Sequence, residues 1–98
     1  WEKPAFACLA SRIPYGEQIT REKLAAVYKA ESYLRGLGFT QLRVRHHGDV
    51  ARIEVLPEDR SRFYDEAFMD MVNEEIKKCG FKFAALDLGG YRMGSLNG

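Results

Sequence analysis

The residue best suited to nucleophilic chemistry is Cys8, which stands in an N-terminal segment without helical periodicity. Ser11 and Arg12 follow it closely, and Pro14 adds a turn-forming residue. A nearby guanidinium favours the thiolate, which is the nucleophilic form of cysteine. Because prolines favour extended or turn geometry, the segment is predicted to be a loop that presents the thiol. The alternative is a cysteine that only fills the core, since free cysteines are among the most buried residues.

The elements that must position this loop belong to one domain, because 98 residues suffice for a single core. With 46% apolar and 30% charged residues, the chain has the composition of a globular protein, not of a disordered tail. A net charge of +1 does not argue for binding to nucleic acid or membrane. Two distant cysteines without a secretory signal predict a reducing, cytoplasmic location.

A first helix is predicted over residues 21–35, with Thr20 as its N-cap and glycines after its end. Its expected buried stripe consists of Leu24, Val27, Tyr28 and Leu34. Glu31 falls on that stripe. A carboxylate there either reaches water at the edge of the stripe or meets a cation or a metal.

A β-hairpin is predicted where residues 42–47 and 50–56 alternate around Gly48 and Asp49. The register of a two-residue turn places Arg43 opposite Glu54 and Arg45 opposite Arg52, all on one face of the sheet. The apolar residues Leu42, Val44, Ile53 and Val55 then form the buried face. Two arginines directly opposed are unfavourable unless they splay into water or hold an anion between them. The grouping of three arginines on one face favours an anion site.

A second helix is predicted from residue 59 or 60 to residue 78, with an apolar stripe of Phe68, Met71, Val72, Ile76 and Cys79. Cys79 is therefore expected to be a packed core thiol. A third strand over residues 81–88 leads into a glycine-rich loop whose cation is Arg92. The order of elements predicts an α+β two-layer sandwich with a small, mostly antiparallel sheet and two helices on one face, ferredoxin-like in outline.

Three segments in this order, residues 4–16, 42–55 and 86–95, resemble the C-terminal half of LarE-type proteins. These are ATP-dependent sacrificial sulfur transferases of the PP-loop ATP pyrophosphatase superfamily. The glycine-rich loop that binds the ATP phosphates in that superfamily does not occur in this sequence. The resemblance therefore implies that residues 1–98 form a C-terminal substrate and sulfur-donor domain, and that the PP-loop domain lies outside this chain.

The resemblance implies a reaction in which ATP activates a carboxylate of a pyridinium mononucleotide and a cysteine supplies sulfur for a thiocarboxylate, on the way to a nickel-pincer nucleotide. Cys8 matches the sacrificial cysteine. The positions that match the substrate-binding residues are Ser11, Arg12, Arg43, Arg45 and Arg92, while Glu31 and Glu54 are candidates for metal binding or acid–base help.

ATP and magnesium are expected to bind mainly to the PP-loop domain, and the implied partners are an anionic mononucleotide, that domain and further copies of the protein. Some relatives bind an iron–sulfur cluster through three cysteines, but this sequence has two, so no cluster is expected. The isolated domain is expected to be inactive. Two other functions remain open: a non-catalytic oligomerisation or anion-binding module, and a domain of a PP-loop enzyme that thiolates tRNA. Binding to nucleic acid is not favoured, since no aromatic residues alternate with the hairpin arginines.

Overall fold

The computed structural model describes residues 12–14 and 16–91. Its elements are helix α1 (Arg21–Gly36), strands β1 (Leu42–His47) and β2 (Val50–Val55), a 3-10 helix (Pro57–Tyr64), helix α2 (Glu66–Lys78) and strand β3 (Phe83–Leu86). The α+β class predicted from the sequence is confirmed.

Helix α1 begins where its cap predicts, because the Thr20 hydroxyl accepts a hydrogen bond from the Lys23 amide at 3.1 Å. The buried residues of the helix are Leu24, Ala26, Val27, Ala30, Glu31 and Leu34. The prediction that Tyr28 is buried is wrong, since 51% of this residue is exposed. The stripe instead runs through Ala26 and Ala30, whose small side chains let the helix lie close to its neighbours.

The hairpin has the predicted register, with Arg43 paired with Glu54 and Arg45 with Arg52. Gly48 occupies the turn with a φ of +59°, a conformation that glycine adopts without strain. Strand β3 pairs with β2 in the parallel direction, so the sheet is mixed and has the order β1-β2-β3. The parallel pair arises because the connection between β2 and β3 contains two helical segments and crosses over the sheet.

The single second helix predicted from residue 59 or 60 to residue 78 is divided in the structure into the 3-10 helix and α2. The division is at Asp65, which has extended backbone angles and whose side chain accepts a hydrogen bond from the Ala67 amide at 3.2 Å. An aspartate makes this capping interaction better than it continues a helix, because its side chain competes for backbone N–H groups. The prediction that Met71 belongs to the buried stripe is wrong, since this residue is 43% exposed and the buried residues of α2 are Val72 and Ile76.

Both α-helices pack in one core on one side of the sheet, as predicted. Side chains at alternate positions of the three strands point to this core, and its largest fully buried members are Val27, Leu34, Phe39, Val44, Val55 and Ile76. Strand β3 is shorter than the predicted 81–88, although Phe81 is buried against the core beside it. The opposite side of the sheet carries Arg43, Arg45, Arg52 and Glu54.

Among the described residues, the helices all fall short of the length and apolar character needed to cross a membrane.

Candidate functional site

Arg12 lies at the edge of the described sheet that β1 forms. The backbone carbonyl of Arg12 accepts a hydrogen bond from the His46 amide at 2.8 Å. Two residues earlier on the same strand, the Val44 amide donates to Oε2 of Glu31 at 2.9 Å. Both outward N–H groups are thereby satisfied, which an edge strand otherwise leaves open. The tertiary structure thus brings Arg12 beside the strand that carries Arg43 and Arg45.

Glu31 meets a cation and not water. Its Oε2 accepts from Nε of Arg12 at 2.8 Å, and its Oε1 lies 3.4 Å from Nη2 of Arg12 and 3.8 Å from Nη2 of Arg35. Only 3% of Glu31 is exposed. A buried carboxylate is tolerated when its oxygens are paired in this way. We call Arg12, Glu31, Arg35 and the Val44 amide the Glu31 cluster.

The four charged residues Arg43, Arg45, Arg52 and Glu54 on the other side of the sheet form what we call the arginine face. Oε2 of Glu54 lies 3.4 Å from Nε of Arg45 and 3.0 Å from Nη2 of Arg52. Arg52 also has its Nε 3.4 Å from Oδ2 of Asp87. The anion between the two opposed arginines is therefore a carboxylate of the protein itself, which explains how like charges tolerate this register.

The hydrogen-bonding capacity of the arginine face is incompletely used among the described residues. Glu54 and Arg45 are 3% and 9% exposed, yet Oε1 of Glu54 has no hydrogen-bond partner there. Nε of Arg43 and Nε of Arg52 are also buried without a hydrogen bond in the described part of the chain. Unsatisfied buried polar atoms are uncommon and mark places where a water, an ion or a ligand binds.

The chain after β3 reaches the arginine face through Tyr91. The Tyr91 amide donates to the Val55 carbonyl at 2.5 Å, and the Tyr91 ring lies 4.9 Å from the guanidinium carbon of Arg43. Nη2 of Arg43 donates to the Tyr91 hydroxyl at 3.3 Å. Gly90 permits this approach, because a Cβ there would lie 2.7 Å from the Val55 carbonyl oxygen.

The two candidate metal residues lie in separate clusters, Glu31 against Arg12 and Glu54 against Arg45 and Arg52. Within residues 12–14 and 16–91 no three metal-ligating side chains come together. Glu31 already has partners for both oxygens, whereas Oε1 of Glu54 retains capacity for one more.

His46 and Cys79 are packing residues. His46 is buried with its ring centroid 5.2 Å from that of Phe81, and burial is the main cause that lowers its pKa, followed by the nearby charge of Lys23. Cys79 packs half-buried against the core and donates to the Glu75 carbonyl at 3.4 Å. Burial raises the pKa of the Cys79 thiol, so the reactive thiolate is disfavoured there.

Of the residues predicted for the site, Arg12, Arg43, Arg45, Glu31 and Glu54 are described, whereas Cys8, Ser11 and Arg92 lie outside the described residues. Sequence reasoning missed Asp87 and Tyr91, which contact the arginine face from the chain after β3. A sequence feature could have identified Tyr91, since it is an aromatic residue inside the glycine-rich loop. No sequence feature identified Asp87, because its pairing with Arg52 depends on the parallel placement of β3.

No protein-family model matches the chain. The uncharacterized protein slr1717 of Synechocystis is 47% identical over 97 residues, which cover 99% of this chain and 36% of that protein. The pyridinium-3,5-bisthiocarboxylic acid mononucleotide synthase of Lactiplantibacillus plantarum is also 47% identical over 97 residues, with 99% of this chain and 34% of the synthase covered. The chain spans about a third of the length of these curated relatives. The predicted resemblance to the C-terminal part of a LarE-type protein is confirmed.

Proposed function

We propose that this chain is the C-terminal domain of an ATP-dependent sulfur transferase that converts a pyridinium carboxylate mononucleotide to a thiocarboxylate for nickel-pincer nucleotide biosynthesis. The observation that carries the proposal is the identity of 47% over 99% of the chain to a pyridinium-3,5-bisthiocarboxylic acid mononucleotide synthase. Cys8 is its sulfur donor.

The proposed chemistry has three steps. The substrate carboxylate attacks ATP, which releases pyrophosphate and leaves an acyl adenylate. The Cys8 thiolate then attacks the acyl carbon, AMP leaves, and a thioester forms. Finally a base removes the Cα proton of Cys8 and the Cβ–S bond breaks, so that the sulfur leaves on the product as a thiocarboxylate and dehydroalanine remains in the chain.

The position of Arg12 supports this assignment. Its carbonyl and its guanidinium are both tied to the edge of β1, through His46 and through Glu31. Arg12 stands four positions after Cys8, and an extended chain over four positions spans at most about 14 Å. A chain of this length allows Cys8 to act near β1, the strand that supplies Arg43 and Arg45.

The anionic substrate is assigned to the arginine face, with Arg43 and Arg45 on the strand and Ser11 and Arg92 from the flanking segments. The guanidinium of Arg12, also predicted to bind substrate, is instead engaged by Glu31. Planar guanidinium groups match phosphate and carboxylate geometry. Nε of Arg43 has no hydrogen bond within the part of the chain that the structure describes, which supports a ligand at this place. Each charge-assisted hydrogen bond to the ligand contributes about 1.5–3 kcal/mol.

For divalent metal binding, Glu54 fits better than Glu31, because Oε1 of Glu54 has no described partner and both oxygens of Glu31 are engaged. ATP and its magnesium are assigned to a PP-loop domain of the same protein, which leaves the present domain inactive alone. The full protein is proposed to be a homo-oligomer in the cytoplasm, where reducing conditions keep the Cys8 thiol free.

The experiment that tests the proposal follows the mass of the full-length protein during one turnover with ATP and the mononucleotide substrate. Conversion of cysteine to dehydroalanine removes hydrogen sulfide, so the intact mass falls by about 34 Da. Peptide mapping is expected to assign the loss to Cys8, with Cys79 unchanged.

The matched control is the pair of variants Cys8→Ser and Cys79→Ser. The first is expected to make no thiocarboxylate, and the second is expected to retain one product per chain. A spent protein of unchanged mass, or a Cys8→Ser protein that still forms product, contradicts the sacrificial role. Repeated turnover without added thiol points to an external sulfur source.

A further inference from the structure

We infer that Glu31 is a positioning residue, which holds Arg12 against the free edge of β1 and thereby restrains the chain four positions after Cys8. The inference rests on the proposed function of Cys8. Glu31 then has a structural role, holding Arg12 in place, and not a role in metal binding.

The outward hydrogen bonds of β1 are made by two different elements. Strand β1 lies at one end of the described sheet and pairs on its inner side with β2. Val44 and His46 direct their amides outward, where they meet the Glu31 carboxylate at 2.9 Å and the Arg12 carbonyl at 2.8 Å. A side chain from α1 and a backbone group from the N-terminal segment thus occupy consecutive outward sites of one strand.

Glu31 joins these two contacts. The same Oε2 that receives the Val44 amide also receives Nε of Arg12 at 2.8 Å. One buried oxygen therefore connects a helix, a strand and the segment of Arg12. The side chains of Arg12 and Glu31 are 12% and 4% exposed, so water screens the interaction weakly.

The contact between Glu31 and Arg12 restrains the direction of the chain as well as its distance from β1. Arg12 is held at its carbonyl by His46 and at its guanidinium by Glu31, which fixes both ends of the residue. Displacing a reacting group by about 1 Å lowers a rate by about 100-fold. Loss of the Glu31 contact is therefore expected to act on the step in which Cys8 attacks.

The test uses the full-length protein with Glu31→Gln, and with Glu22→Gln on the exposed surface of the same helix as the matched control. Three quantities are measured: the rate of alkylation of Cys8 and of Cys79 by iodoacetamide, the affinity for ATP, and the single-turnover rate of thiocarboxylate formation. Glu31→Gln is expected to change the rate of Cys8 alkylation several-fold and to lower the single-turnover rate by about 100-fold. The rate of Cys79 alkylation and the affinity for ATP are expected to stay unchanged.

The outcomes separate this inference from its alternatives. Alkylation of Cys8 and single-turnover rate within twofold of the control overturn it. Recovery of the rate by added divalent cation also overturns it, because Glu31 is then a metal ligand. Arg12→Gln serves as the second variant if Glu31→Gln fails to fold, and it must show the same change in Cys8 alkylation. The alkylation readout needs no turnover, so it remains decisive even if Cys8 is not the sulfur donor.

Discussion

The Glu31 cluster and the arginine face each bury a glutamate among arginines, but they differ in how completely the polar atoms are paired. In the Glu31 cluster both carboxylate oxygens have partners, and one of them also receives a backbone amide. On the arginine face Oε2 of Glu54 contacts two arginines, while Oε1 has no hydrogen bond among the described residues.

This difference separates a structural pair from a binding surface. A buried ion pair with every oxygen engaged has no capacity left for a ligand, and breaking it exposes an uncompensated charge. Nε of Arg43 is a buried donor without a hydrogen bond among the described residues, and such a donor is stabilised by an anion that binds to it. Glu31 and Glu54 are both buried glutamates beside arginines, yet their surroundings assign them different roles.

The largest expected effect is on stability in the Glu31 cluster. Glu31→Ala leaves the Arg12 guanidinium without this carboxylate and the Val44 amide without an acceptor, and removal of one partner of a buried pair costs about 3–5 kcal/mol. Urea denaturation measures the change. Glu22→Ala on the same helix is the control, and a difference below about 1 kcal/mol between the two variants contradicts a structural role for Glu31.

A smaller loss is expected at the point where the chain after β3 meets the arginine face. Gly90→Ala places a Cβ 2.7 Å from the Val55 carbonyl oxygen at a φ of +81°, so the expected cost is about 1–3 kcal/mol. Gly48→Ala is the control, because its φ is +59° and no atom lies within 4 Å of the added Cβ. Equal destabilisation of both variants in thermal denaturation shows that only backbone strain matters at Gly90.

On the arginine face, the comparison predicts a gain in anion binding. Glu54→Gln removes the carboxylate that neutralises Arg45 and Arg52, and inorganic phosphate is expected to bind about tenfold more tightly, or about 1.4 kcal/mol. Titration calorimetry at fixed ionic strength measures the affinity. Glu31→Gln is the comparison variant and is expected to bind phosphate no more tightly than the wild type. Equal gains in both variants indicate a general charge effect instead of a site.

The smallest expected effect is a dependence of stability on pH through His46. Burial lowers the pKa of His46 in the folded protein, so the unfolded chain binds a proton more readily. The contribution of His46 to stability is therefore complete above the ordinary histidine pKa of about 6.5. It is lost as the pH falls through the lower pKa that His46 has in the folded protein. Urea midpoints between pH 7.5 and pH 5 measure it. His46→Leu is expected to flatten this dependence, and exposed His47→Gln to leave it unchanged.

Local pattern was sufficient for the hairpin and for the start of α1. The alternation around Gly48 and Asp49 defined a register in which Arg45 faces Arg52, and the structure has that register, because a two-residue turn leaves the strands little freedom to slip. Thr20 caps α1 as predicted, since the capping bond involves residues three apart. The division of the second helix at Asp65 was missed because the hydrophobic period continues across the residue that interrupts it.

The amino-acid sequence by itself determined which residues carry charge on one side of the sheet and that Glu31 interrupts an apolar stripe. Only the tertiary structure decided their partners: Arg12 for Glu31, Arg45 and Arg52 for Glu54, Asp87 for Arg52 and Tyr91 for Arg43. Helix and strand periods are set by neighbouring residues within one or two turns, so they can be predicted from short patterns. The contacts to Glu31, Asp87 and Tyr91 join residues far apart in the chain, and they form only when the packing of α1 and the parallel placement of β3 bring the elements together.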